Sequence, residues 1–455
     1  MTEQLKLKLN DSKATRWGAL VIVAFTMMAA YYVNDVVAPL KTMLETDLAW
    51  SSTDFGFFTG GYSFLNVFFL MLIWGGLILD RFGIRFTGKL ATILMVGGTA
   101  LEYYAMTGLA GADATLFGIN EIFGYKTGVF VAFAGYSIFG VGAEVAGITV
   151  SKIIAKWFKG KELATAMGVQ VALARIGSQA GYAVAIPLAR AFGISTPVLL
   201  GLVLLLGGMI AFFVFAVMDK KLDKQMEAAA IAAGTEDEEE KFSFKDVKNI
   251  LVNPGFWLIA LLCVLFYSCV FPFQKFASEL MIIKYGINEN VAGTFAGLPA
   301  LGALILTPVF GGFIDKRGKS ASIMLLGSAM LICVHFIYAI PDINYWLVAI
   351  VLMIILGIAF SLVPSAMWPA VAKIFPVSQL GTAYALIFFI QNIGLWGIPT
   401  LIGWVLDAYC ISGKKPDGTN MYDYTVPMCI FTGIACLSLI AVSYTHLTLP
   451  TTSRV

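Results

Sequence analysis

Gly76-Leu77-Ile78-Leu79-Asp80-Arg81-Phe82-Gly83-Ile84-Arg85 closes one apolar run of this chain, and Gly311-Gly312-Phe313-Ile314-Asp315-Lys316-Arg317-Gly318-Lys319 closes another. Both read glycine, three residues, aspartate, a cation, one residue, glycine, and then a further cation. Each follows a stretch long enough to cross a bilayer. A phrase repeated in this way implies two similar halves packed around one central site, which is the architecture of a transporter.

Composition sets the same class. Of 455 residues, 59% are hydrophobic and 13% charged, against about 25% charged in soluble domains. Mean hydropathy is +0.84. Cys263, Cys269, Cys333, Cys410, Cys429 and Cys436 have neither metal nor disulfide spacing and read as small packing residues. The sequence shows no P-loop, zinc spacing or nucleophile elbow. His335 is alone among apolar residues. The expectation is therefore a protein that is not an enzyme, with no cofactor, metal or nucleic-acid partner. Its partners are a small-molecule substrate and the lipid bilayer, and it acts as a monomer. The first apolar run is a full span rather than the short core of a cleavable signal.

A span needs about 20 apolar residues. Counting on that basis predicts an all-α membrane protein of twelve helices, near 17–38, 55–79, 87–108, 128–150, 163–189, 196–218, 256–282, 291–314, 320–340, 345–371, 380–406 and 425–443. The domains are then a first six-helix half (1–218), a linker (219–255), a second half (256–442) and a non-native tail (443–455). The linker holds the acidic run Thr235–Glu240 and an amphipathic helix begun by Ser243. With the N-terminus in the cytoplasm, 21 of the 30 Lys and Arg lie on inside segments and six outside. The positive-inside rule selects that orientation.

Six ionisable residues fall within the spans: Asp35, Glu102, Glu144, Arg175, Lys275 and Glu279. Each costs about 2.5–3.5 kcal/mol at a helix centre, so they require partners or a water-filled cavity. On span five, Gly168, Ala172, Arg175, Gln179 and Tyr182 form one small and polar stripe at helical spacing. On span four, Ser137, Gly140, Glu144, Gly147 and Ser151 form a matching stripe. Glu144 and Arg175 are then either a structural ion pair or the two ends of a substrate site. A fixed anion and cation in one cavity suit a zwitterion, with arginine forking a carboxylate.

Further candidate contacts are Tyr31, Tyr32 and Asp35 on span one, Trp368 on span ten, and Tyr384, Gln391 and Asn392 on span eleven. Lys275 and Glu279 are four apart and could neutralise each other, or serve as proton or ion-pair sites. Asp35 and Glu102 read as solvated or structural. Gly76, Asp80, Arg81, Gly83 and Arg85, with Asp315, Lys316, Arg317 and Gly318, are assigned to gating.

The two Asp-cation-x-Gly loops resemble the signature of the major facilitator superfamily over nearly the whole chain. Several stretches, in order, are similar to its lysosomal dipeptide-transporter family. They are Phe139-Gly140-Val141-Gly142-Ala143-Glu144, Trp157-Phe158-Lys159-Gly160-Lys161-Glu162-Leu163, Ala174-Arg175-Ile176-Gly177-Ser178, Val270-Phe271-Pro272-Phe273, Ala366-Met367-Trp368-Pro369, Leu380-Gly381-Thr382-Ala383-Tyr384 and Gln391-Asn392-Ile393-Gly394. The resemblance implies a dipeptide substrate whose termini are held by Glu144 and Arg175.

The expectation is a secondary active or facilitative carrier of a small zwitterion, a dipeptide above all, working by alternating access. The alternatives are an organic-anion carrier of oxalate or nitrate type, which one midplane arginine disfavours, and a non-transporting receptor or scaffold. Met1–Asn10 carries no acidic di-leucine signal, which favours a bacterial inner membrane. A membrane-impermeant thiol reagent outside intact cells should fail to reach cysteines placed in either repeated loop. Ready labelling there would reverse the orientation.

Overall fold

The computed structural model describes residues 8–111, 114–233, 244–317, 320–375 and 377–448. The helices in chain order are α1 (Lys13–Val36), α2 (Lys41–Leu48), α3 (Ser52–Phe68), α4 (Met71–Thr107), α5 (Thr127–Trp157), α6 (Leu163–Phe192), α7 (Thr196–Ala233), α8 (Phe244–Val252), α9 (Pro254–Tyr285), α10 (Glu289–Ala296), α11 (Leu298–Arg317), α12 (Ser320–Ala339), α13 (Trp346–Ile374), α14 (Val377–Tyr409) and α15 (Thr425–Thr448). Helices satisfy every backbone group internally, which hydrocarbon demands.

Among the described residues, nine helices are long and apolar enough to cross a membrane, and α3 with α4 forms a bent pair of the same character. Two physical facts bring the architecture to twelve crossings. First, the 37 residues of α4 exceed what a bilayer core of about 30 Å accommodates at about 1.5 Å per residue. The helix breaks at Gly83, where φ is 75° and ψ 173°. Glycine takes that conformation at low cost. The stretch before it completes the span begun by α3, and 84–107 is the next. Second, the 30-residue α6 is long enough to cross, but its polar stripe lowers its hydropathy.

The expected second span is interrupted. It bends by 58° between α3 and α4, and Leu70 at the break has φ 53°. The sixth is longer than expected, since α7 continues to Ala233 and makes the first part of the linker helical. There Asp219, fully buried, binds Lys156 at 2.7 Å, Arg85 at 3.4 Å and the Trp157 indole at 3.0 Å. Helix α8 occupies the segment expected to be amphipathic, while Ser243 and the acidic run lie outside the described residues. Helix α15 runs through the first part of the supposed tail to Thr448. Short hairpins, Glu121–Ile122 with Tyr125–Lys126 and Ile411–Lys414 with Asn420–Tyr422, interrupt the all-helical expectation in two loops.

In the first half α1 packs on α6 and α7, and α5 on α3 and α4. In the second half α9 packs on α14 and α15, and α13 on α11 and α12. The halves meet where α3 crosses α14 and where α6 meets α10 and α11. Glycine makes these approaches possible. A Cβ on Gly56 would stand 2.4 Å from the Pro399 carbonyl oxygen, and one on Gly293 2.3 Å from that of Tyr182. Within the first half, a Cβ on Gly140 would stand 2.0 Å from the Tyr62 carbonyl oxygen. Gly140→Ala should therefore destabilise the chain by about 1–3 kcal/mol. Gly97→Ala, with nothing within 4 Å, should be neutral or slightly stabilising. Thermal unfolding of the two variants in detergent measures the difference.

Candidate functional site

A cavity of about 1040 Å³ lies between the halves, reaching from Asn34 and Lys275 down to Asp80, Ser151 and Val247. It opens on the face that carries the N-terminus and most of the cations, here called the basic face. The opposite face is closed by the glycine contacts and by polar contacts between the halves. Asp407 accepts from the backbone N–H groups of Ser52, at 3.3 Å, and Thr53, at 2.6 Å, at the start of α3. Arg190 on α6 pairs with Glu289 and donates to Asn290 at 2.8 Å.

Each half contributes a different chemistry. The first half supplies Glu144, Arg175 and Asp80, while Lys275 comes from the second. Glu144 on α5 and Arg175 on α6 both line the cavity, as the helical spacing of their stripes requires. They do not pair with each other. Glu144 accepts a hydrogen bond from the Tyr62 hydroxyl at 3.0 Å. The Arg175 guanidinium lies 4.9 Å from the Phe360 ring centre and 5.7 Å from that of Tyr31. Among the described residues neither makes a salt bridge. The second half supplies an aromatic wall of Tyr267, Phe271, Trp368, Tyr384 and Phe388. It is braced by Trp368 Nε1 donating to the Tyr267 hydroxyl at 3.2 Å and by the Tyr384 hydroxyl donating to the Trp368 carbonyl at 3.1 Å.

Tyr31, Glu144, Arg175, Trp368, Tyr384 and Gln391 all line the cavity. Four other expected contacts lie elsewhere. Tyr32 is buried and donates to the Pro197 carbonyl at 3.2 Å. Gln179 donates to the Thr294 carbonyl at 3.2 Å, in the seam with α10. Asn392 is fully buried and donates to the Phe388 carbonyl at 2.9 Å. Asp35 is not solvated. It accepts from Asn34 at 2.8 Å, from Lys275 at 3.2 Å and from Ser178.

Lys275 and Glu279 do not neutralise each other. Lys275 reaches across the seam to Asp35 and to the Asn34 carbonyl at 2.6 Å. Glu279 binds Lys41 at 2.6 Å and accepts from Tyr424. Lys41, 1% exposed, also binds Glu45 at 2.5 Å. Sequence reasoning missed Lys41 and Glu45 because they follow the first span at an apparent boundary, where a charge carries no burial signal. It missed Tyr62 and Tyr136 because tyrosine within an apolar run reads as packing.

Of the residues the sequence assigns to gating, Gly76 and Asp80 line the cavity, and Asp80 accepts from Lys152 at 3.0 Å. Arg81 lies over the Phe82 ring at 5.5 Å, Gly83 makes the turn described above, and Arg85 holds Asp223 at 2.5 Å. Asp315, Lys316 and Arg317 end α11, with Lys316 exposed, while Gly318 lies outside the described residues. Among the described residues, no three His, Cys, Asp or Glu side chains converge as metal ligands.

A family model described as "Major Facilitator Superfamily" matches residues 20–399. The lysosomal dipeptide transporter MFSD1 of Homo sapiens is 29% identical over 409 residues, covering 87% of this chain and 81% of that protein. The protein of that name from Danio rerio is 28% identical over 400 residues, covering 86% and 80%. Among solved structures, the inward-open xylose transporter XylE from E. coli matches with a TM-score of 0.69 at 14% identity, covering 96% of both chains. The nucleoside transporter NupG matches with a TM-score of 0.69 at 13% identity, covering 93% of this chain and 98% of that one.

Proposed function

This chain belongs to the major facilitator superfamily, and from that premise we propose that it carries a small zwitterion, a dipeptide, held between Glu144 and Arg175. It is a multi-pass membrane transporter and not an enzyme. One observation carries the substrate reading. Glu144 and Arg175 face one cavity, and among the described residues neither is neutralised by a charged side chain. A half-buried charge without a counter-charge is costly, and a ligand bearing both charges offsets both costs at once. The carboxylate of a dipeptide fits the Arg175 fork, its ammonium fits Glu144, and its side chains face the aromatic wall. The curated relatives named as dipeptide transporters support the same class.

The cation asymmetry puts the basic face in the cytoplasm, in a bacterial inner membrane. The cavity is then open inward, and alternating access requires the halves to rock until the basic face closes. Asp80 is the latch for that closure. While the cavity is open it is paired with Lys152 on its own half.

Arg175→Ala should abolish measurable uptake of labelled dipeptide into proteoliposomes, since losing one partner of a buried charged contact costs about 2–5 kcal/mol. Arg175→Lys should also fail, because a point charge cannot replace the fork. Amidating the peptide C-terminus should reproduce the Arg175→Ala defect, and acetylating its N-terminus the Glu144→Gln defect. The zwitterion reading fails if Arg175→Ala still distinguishes free from amidated peptide as the native chain does. For the latch, Asp80→Asn should leave insertion and thermal stability unchanged while slowing turnover; unchanged turnover would remove Asp80 from the gate.

A further inference from the structure

Arg175 stands on α6 in the first half, yet its guanidinium carbon lies over a ring of the second half, 4.9 Å from the centre of Phe360 on α13. Tyr31, on α1 of its own half, is farther away, at 5.7 Å. Phe360 is 3% exposed and sits in an apolar run of α13, where phenylalanine reads as packing. Its place beneath a cavity arginine gives it a second use.

Two rings of α9 fix the plane of Phe360. Phe271 meets it at 5.4 Å with the planes 80° apart, and Tyr267 at 6.2 Å with the planes 88° apart. In such edge-to-face pairs the positive edge of one ring meets the negative face of another. Tyr267 and Phe271 are themselves stacked, at 5.4 Å and 14°, and the Trp368 indole N–H donates to the Tyr267 hydroxyl at 3.2 Å. Turning Phe360 would displace that stack, which a close-packed interior resists. The surface beneath Arg175 is therefore fixed.

A ring face attracts a guanidinium through its quadrupole without consuming an N–H group. Among the described residues, the guanidinium of Arg175 meets ring faces and is in no salt bridge. Its N–H groups remain for a carboxylate, which a guanidinium grips best through two parallel N–H···O bonds. An unsupported arginine loses rotamer freedom when it binds. One already laid on a ring has lost part of that freedom beforehand.

On the zwitterion reading of the cavity, we propose that Phe360 is a positioning residue of the substrate site. Its ring holds the Arg175 guanidinium so that the N–H fork is presented to the substrate carboxylate. Platform and fork belong to different halves, so the alignment is made by a contact across the cavity, in the conformation that opens on the basic face.

Equilibrium binding to the full chain in nanodiscs tests this with alanyl-alanine and alanyl-alanine amide, which lacks only the carboxylate. The native chain should prefer the free peptide, and Arg175→Ala should bind both alike. Phe360→Leu should weaken binding of the free peptide by about two- to thirtyfold, the span of one cation–π contact, and leave the amide unchanged. A phenylalanine trifluorinated on its ring, placed at position 360, nearly keeps the shape and removes most of the negative potential of the face. It should show the same selective loss, and it serves if Phe360→Leu does not fold. In an Arg175→Ala background, Phe360→Leu should change neither affinity.

Equal weakening of both probes would make Phe360 a packing residue and overturn the proposal. A trifluorinated protein that discriminates as the native chain does would also overturn it. If the native chain itself binds the two probes alike, the zwitterion reading fails and the role of Phe360 goes with it. If native and Arg175→Ala proteins differ as expected while Phe360→Leu matches the native chain, only the assignment of Phe360 falls.

Discussion

A charge inside the hydrocarbon layer must find its compensation within the protein, and the distribution of charges in this chain follows from that rule. Lys41 satisfies Glu45 and Glu279, and Lys275 satisfies Asp35. Each of these buried pairs has partners on both halves or ties elements that meet at the seam. Where compensation by another charge is missing, at Glu144 and Arg175, the side chains face the cavity. The same constraint that makes a buried charge expensive thus separates two populations. Among the described residues, the paired charges tie elements together at the seam, Glu144 and Arg175 face open space, and Glu102, in neither group, is fully buried away from the cavity.

The two faces of the molecule are held by different means. Opposite the basic face, close glycine contacts bring backbone onto backbone at Gly56 and Gly293, and ion pairs lie over and between them. At the basic face, Gly76 and Gly381 line the cavity with nothing within 4 Å of where a Cβ would stand. Small residues there leave room for a close approach that this conformation does not make. Packed interfaces have discrete arrangements rather than a continuum, so a seam of this kind is suited to switching between two states.

Division of labour between the halves also follows from the packing. The first half carries Glu144, Arg175 and Asp80 into the cavity, and the second brings an aromatic wall with Lys275 at its upper edge. Lys275 is the one group that both lines the cavity and crosses the seam by an ion pair among the described residues. It is placed between the cavity and the seam opposite the basic face.

The amino-acid sequence by itself determined the membrane class, the division into halves and the inward placement of Glu144 and Arg175. These rest on span-length apolar runs, on the repeated Asp-cation-x-Gly phrase and on a helical period of about 3.6 residues, all of which are local along the chain. Periodicity says which face of a helix a residue occupies. It does not say which helix is opposite. Glu279 reads as the natural partner of Lys275 at four residues' spacing, yet each bonds instead to a residue more than 200 positions away in sequence. Only the tertiary structure decided those partners, removed Tyr32, Gln179 and Asn392 from the cavity wall, and revealed Lys41 as a buried charge. The physical reason is that in hydrocarbon the strongest available counter-charge in space determines where a long side chain points, and the fold, not the spacing, brings that counter-charge into reach.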